Sequence, residues 1–158
     1  MRFVYMILLS IILVGCSSDS VDKLWQTHKQ ESNYRAKLLK TQKAILQIND
    51  IKTYIIATYI GSSKNHERFI ISLYTNGDTS IRFGKDYHIS VSSKKPISIK
   101  KLTNDDKLLK EISFKTEWRK YYLVDFPFVD KDKLYMIFTD KKGSEVKLYF
   151  AKKAKYTL

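Results

Sequence analysis

Few residues of this chain arrive in the spacing that chemistry needs. The three histidines, His28, His66 and His88, are far apart, and none lies in a His-x-x-x-His or Glu-x-x-His spacing that would aim two ligands at one ion. His66 and Glu67 are neighbours in a Gly61–Glu67 loop, where a solvated pair is the expectation. Asp130-Lys131-Asp132 alternates its carboxylates as calcium loops do. It lacks the turn glycine and the later bidentate Glu, and its lysine would repel a cation, so it reads as a hairpin loop. No Gly-x-Ser-x-Gly elbow marks a nucleophile, and five glycines in all supply no phosphate cradle. The sequence therefore nominates no catalytic residue, no metal ligand and no cofactor, and no enzyme is expected. What remains is one thiol, Cys16.

Cys16 stands at an informative place. Arg2 gives a positive start, Phe3 to Leu13 form an apolar run, and Leu13-Val14-Gly15 lead into the cysteine. That run is too short for the about 20 residues that span a bilayer, and a polar stretch, Ser17-Ser18-Asp19-Ser20, follows it. Leu13-Val14-Gly15-Cys16 resembles the lipobox of bacterial lipoprotein signal peptides. The resemblance implies cleavage before Cys16, a diacylglyceryl thioether on its sulfur and an N-acyl chain. Each buried CH₂ contributes about 0.8 kcal/mol, so several chains on one residue hold a protein on a membrane where a single chain would not. Ser17, in place of an Asp, favours the outer membrane in a host with two membranes.

Composition narrows the rest. Without residues 1–15 the chain has 143 residues, one domain and a tether. Lipidation consumes the only cysteine, so the fold must stand on packing without a disulfide. The whole chain carries a formal +13; loss of Arg2 leaves 28 basic against 16 acidic side chains, or +12. Nucleic acid is not the expected partner of an exported protein. Anionic headgroups, lipopolysaccharide phosphates or an acidic protein suit the charge better, although scattered lysines also simply solvate a surface.

The pattern sets the elements that must position any site. Residues 16–20 read as lipidated cysteine and tether. Residues 21–43 read as an amphipathic helix, from Val21, Leu24, Trp25, His28, Arg35, Leu38, Leu39 and Gln42 at three- and four-residue spacings. Its polar middle suggests partial docking, with Trp25 facing the domain or a partner. From residue 44 to 158 the period falls to two, and β-branched and aromatic residues dominate. Strands are expected at Ala44–Asn49, Lys52–Ile60, Arg68–Tyr74, Thr79–Phe83, Tyr87–Ser92, Ile97–Lys101, Lys120–Phe126, Leu134–Thr139 and Glu145–Ala151. Tyr87, Ile89 and Val91 should face inward and His88 outward; Val146, Leu148 and Phe150 should oppose Lys147 and Tyr149. Asn49-Asp50, Asn76-Gly77 and Asp140–Gly143 supply turns, and Asn104 could cap a helical turn over residues 104–110.

Short strands at roughly ten-residue spacing predict an antiparallel β-sandwich preceded by one α-helix. Residues 118–126, with aromatic and branched side chains alternating, resemble the penultimate core strand of immunoglobulin-like domains, and Trp118 is expected in the core. The Cys–Trp–Cys core of true immunoglobulin domains is absent. Eleven tyrosines suit carbohydrate or partner contacts, but most sit in strand patterns, where they finish cores and cross-strand pairs.

Two functional readings follow. The first is an envelope lipoprotein, membrane-bound through Cys16, that binds an envelope protein partner through exposed strand edges or a lysine-rich face. The second is a lipoprotein that takes an anionic glycan, lipid or small ligand in an aromatic-lined cleft. Tyr and Lys side chains clustered in one concavity would favour the second. A hydrolase would need His66 or His88 to converge with carboxylates.

Overall fold

The computed structural model describes residues 18–48, 50–63, 65–76 and 86–153. The leader and Cys16, the Asn49 and Gly77 turn positions and the Thr79–Phe83 strand lie outside the described residues. So do the side chains of Leu24 and Trp25. The chain divides into two compact units, residues 1–35 and 36–158.

Helix α1 runs Ser18–Leu39 and so begins three residues before the expected start at residue 21. Lys37 lies in the last turn, and the Thr41 hydroxyl donates to the Lys37 carbonyl at 2.8 Å, which satisfies a helix-end acceptor. The helix thus stops before residue 43, and strand β1 (Thr41–Ile48) begins three residues earlier than its apolar pattern indicates. Thr41 and Thr58 hydroxyls, 2.9 Å apart, extend that pairing beyond the apolar residues. From Gln26 to Ser32 the helix side chains are exposed.

Seven further strands follow: β2 (Ile51–Ser62), β3 (His66–Thr75), β4 (Tyr87–Val91), β5 (Ser98–Leu102), β6 (Lys120–Pro127), β7 (Lys133–Asp140) and β8 (Glu145–Ala151). They form two antiparallel sheets, ordered β1-β2-β3-β6-β5 and β4-β7-β8. The order β2-β3-β6-β5 beside β4-β7-β8 is the A-B-E-D and C-F-G arrangement of an immunoglobulin constant-type sandwich, with β1 added outside the A position. Residues 118–126 therefore do not supply the penultimate strand. From Lys120 they form β6, in the E position, and the penultimate strand is β7, central in the three-stranded sheet.

The alternation read from the sequence holds in the smaller sheet, whereas β3 of the larger one is buried on both faces from Phe69 to Leu73. In β4, Tyr87, Ile89 and Val91 are buried and His88 is exposed; in β8, Leu148 and Phe150 are buried while Lys147 and Tyr149 are exposed. These residues meet Ile55, Ala57, Phe69, Ile71, Leu73, Val124 and Phe126 of the larger sheet in one core. Phe69 packs edge-on against both Phe126 and Phe150, at ring separations of 5.7 and 5.1 Å. Asp140 accepts from the Lys142 and Ser144 amides at 2.8 Å each and Gly143 takes φ +88°, so the β7–β8 loop turns as its sequence requires.

A second, smaller core lies on the outer face of the larger sheet. Leu109, in a 3₁₀ helix over Lys107–Glu111, packs with Ile70, Leu102 and Tyr121. Asp106 caps that helix, its carboxylate accepting from the Leu108 amide at 3.0 Å, whereas Asn104 does not. The segment 113–119 is strapped down by buried Tyr121, whose hydroxyl accepts from the Thr116 amide at 2.7 Å and faces the Thr116 and Phe114 carbonyls. Trp118 sits on this strap and is 82% exposed. The strap holds it past the end of β6, so it is a surface residue and not a core one.

Candidate functional site

The two sheets leave their free edges side by side. β4 ends the smaller sheet and β5 ends the larger one. The chain passes from one to the other through Val91–Lys94, where the Val91 and Lys94 main chains bond each other at 2.9 Å in both directions. Ser92 (φ 48°) and Ser93 (φ 65°) are the central residues of this turn. Positive φ at both positions is the type I′ pattern, normally supplied by Asn-Gly and costly for side chains bearing a Cβ. The turn is tied down: Ser92 N–H donates to the Tyr135 carbonyl at 2.8 Å, Ser93 and Tyr135 hydroxyls lie 2.9 Å apart, and Lys94 Nζ donates to the Phe128 carbonyl at 2.8 Å.

Between the diverging arms lies a cleft of about 620 Å³. Tyr87 and Ile89 supply its buried side; Pro96, Ile97 and Ile99 line the other, with His88, Lys95 and Ser98 among the polar groups around it. Ile97 is 61% exposed and Ile99 40%, so apolar surface stands open to water here. Both arms are fixed from outside. Tyr87 Oη lies 2.9 Å from Thr53 Oγ1, which ties β4 to the opposite sheet, and its ring packs on Phe138 at 5.1 Å. Ser98 donates to Asp125 at 3.1 Å, and Asp125 is gripped by Arg68 through Nε at 2.7 Å and Nη2 at 3.3 Å. Burial pushes the Asp125 carboxyl up, but the Arg68 hydrogen bonds and charge, with Ser98 and His66, outweigh it and hold it below its usual range.

Register decides what β4 offers. Ser92 bonds Tyr135 of β7 and Asp86 accepts from Lys141, so the even-numbered residues of β4 spend their main-chain groups on β7. The N–H and C=O groups of Tyr87 and Ile89 therefore point away from β7, along the edge that no other described strand pairs. Val91, in the same phase, has its outward groups taken by Lys94.

A different cluster lies beside the Ser92–Ser93 turn, next to Phe128. Glu67 is fully buried, against the expectation of a solvated pair with His66. It belongs to β3, in phase with Phe69, Ile71 and Leu73, so the pleat turns it inward. The Tyr59 hydroxyl donates to its Oε2 at 2.8 Å, the Val129 amide to its Oε1 at 3.1 Å, and Lys152 Nζ lies 2.5 Å from Oε1. Lys152 also donates to the Val129 carbonyl and lies 4.3 Å above the Phe128 ring. Burial pushes the Tyr59 phenol up to about 12; Ser62 pulls it down less strongly, and the Glu67 carboxylate raises it again. With its oxygens committed to these donors, Glu67 acts as a structural clamp on the loop after β6.

His66 bonds Ser63 at 2.9 Å and His88 is exposed on β4; neither joins a cluster of carboxylates. Among the described residues, no group of three or more His, Cys, Asp or Glu could hold a metal. No described helix is long and apolar enough to cross a membrane. The chain matches no protein-family model, no curated protein and no solved structure.

Proposed function

We propose that this protein is a lipid-anchored, non-enzymatic component of a bacterial cell envelope, held at a membrane through Cys16, that binds another envelope protein through its sandwich. In a host with two membranes, Ser17 after the cysteine favours the outer one. The observation that carries the binding role is the cleft between β4 and β5, where two strand edges unpaired among the described residues and exposed isoleucines converge.

The cleft volume would also admit an anionic small ligand. Its single tyrosine, Tyr87, has its hydroxyl against Thr53, and Lys95 is its single lining lysine. That is not the cluster of Tyr and Lys a ligand site would need, so the protein-binding reading is preferred. Affinity isolation of tagged protein from cross-linked cells, beside Cys16→Ala, tests the proposal. A diacylated bait with one stoichiometric envelope protein, lost or weakened with Cys16→Ala, is the expected result. An intact, unlipidated N-terminus would overturn the anchor, and a lipidated bait without protein prey would overturn the assembly role.

A further inference from the structure

We infer that the free edge of β4 accepts an extended acidic segment of the partner protein as an added strand, its inward side chains packing over Ile97 and Ile99 of the facing arm. The inference rests on the assembly reading and specifies its chemistry.

Three features of the cleft point to a main chain as occupant. Tyr87 and Ile89 each direct an N–H and a C=O along the edge, two residues apart. A partner strand repeats its own donors and acceptors with that same period, which a helix or a compact ligand does not. The buried side of the cleft is apolar, as is the Pro96-Ile97 entry to β5, so alternate inward side chains of the segment would be apolar. The I′ turn at Ser92–Ser93 blocks one end, because Lys94 already fills the position beside Val91. The added strand is therefore short and abuts that turn.

Charge selects among extended segments. Lys95 lines the cleft and Lys101 shares the phase of Ile99 on β5, while Lys94 donates to the Phe128 carbonyl beside the turn and Asp125 is already paired with Arg68. Such a frame attracts an acidic strand and repels a basic one. It also argues against a second copy of this chain, whose formal charge is +13. Lysines near an edge discourage self-pairing.

The test uses full-length lipidated protein in detergent micelles and two probe peptides, one alternating aspartate with valine and the other lysine with valine. The acidic peptide should slow hydrogen exchange of the Tyr87 and Ile89 amides by about tenfold or more at saturation, and the basic one should not. Ile97→Asp with Ile99→Asp should weaken the acidic peptide by roughly tenfold or more. Tyr149→Asp, on the exposed face of β8, should leave it unchanged, and both variants should keep the parent circular dichroism. Equal binding of the two peptides would overturn the charge selection, and binding without amide protection would overturn strand addition. A native partner that leaves these amides unprotected would overturn this inference while the assembly reading stands. Absence of any stoichiometric partner in cells would instead remove the assembly reading.

Discussion

Replacing Lys152 with methionine keeps most of the side-chain volume and removes one charge from the clamp on Glu67. The carboxylate stays fully buried, with only the Tyr59 hydroxyl and the Val129 amide to hold it. Breaking a buried pair from one side costs about 3–5 kcal/mol, because the remaining charge is left uncompensated. The Lys152 side chain is 13% exposed, so water reaches the site a little and the lower end applies. Loss of the cation over Phe128 adds about 0.5–1 kcal/mol. We expect Lys152→Met to lower stability by about 3.5–4 kcal/mol in urea unfolding, and Tm by roughly 12 °C for a unit of this size. Glu67→Gln in the same chain removes the orphaned charge yet keeps an acceptor for Tyr59 or Val129, so the double variant should recover about 2 kcal/mol of the loss. Additive single and double effects, or a Lys152→Met protein within about 0.5 kcal/mol of the parent, would refute the clamp.

Asp125 has its folded pKa depressed by Arg68, so the pair stabilises the fold above the carboxyl's unfolded value, about 3.9, and the benefit disappears as pH falls through the folded one. Asp125→Asn should cost about 1 kcal/mol at pH 7 and progressively less below about pH 4, read as denaturation midpoints against pH. Ser93→Val places a β-branched residue at φ 65° and should cost about 1–2 kcal/mol, where Lys147→Val on exposed β8 should cost under about 0.5. Trp118→Ala should change stability by less than about 0.5 kcal/mol; a loss of about 3 kcal/mol or more, the signature of a core aromatic, would contradict its position on the strap.

The sheets were legible because pleated strands with one wet face write their burial at period two. β4 and β8 show this in every residue discussed. Where that signal was cut short, the reading went astray. Extending the phase of Phe69, Ile71 and Leu73 back by two residues would have put Glu67 inside, but its hydrophilic neighbours suggested a loop. Nothing local could announce Lys152, 85 positions later, as its counter-charge. Trp118 follows no strand phase, since the Tyr121 strap and not the pleat sets its position. The cleft was hidden for a further reason. Whether a strand is central or at an edge depends on which distant strands pair, so β4 and β5 carry no mark of being the two left open. The lysines of residues 94–101 were visible as charge, and only the topology sets Lys95 and Lys101 toward the groove.

The junction of α1 and β1 has a mechanical consequence. One residue, Lys40, separates the end of the helix at Leu39 from the first ladder pair, Thr41 with Thr58. Tension arriving along the N-terminal chain is delivered to the open end of an edge hairpin whose far end is closed at residues 49–50. Drawn off β2 from that end, the ladder parts one pair at a time, as a zipper does, instead of resisting in shear. β1 lies outside the A-B-E-D order, and Leu46 is its one buried side chain among the described residues. Its eight residues can peel off β2 and release roughly 26 Å of slack before the load exceeds the hold of one ladder pair at a time. The extra strand is thus a reel of spare chain between the helix and the rest of the sandwich.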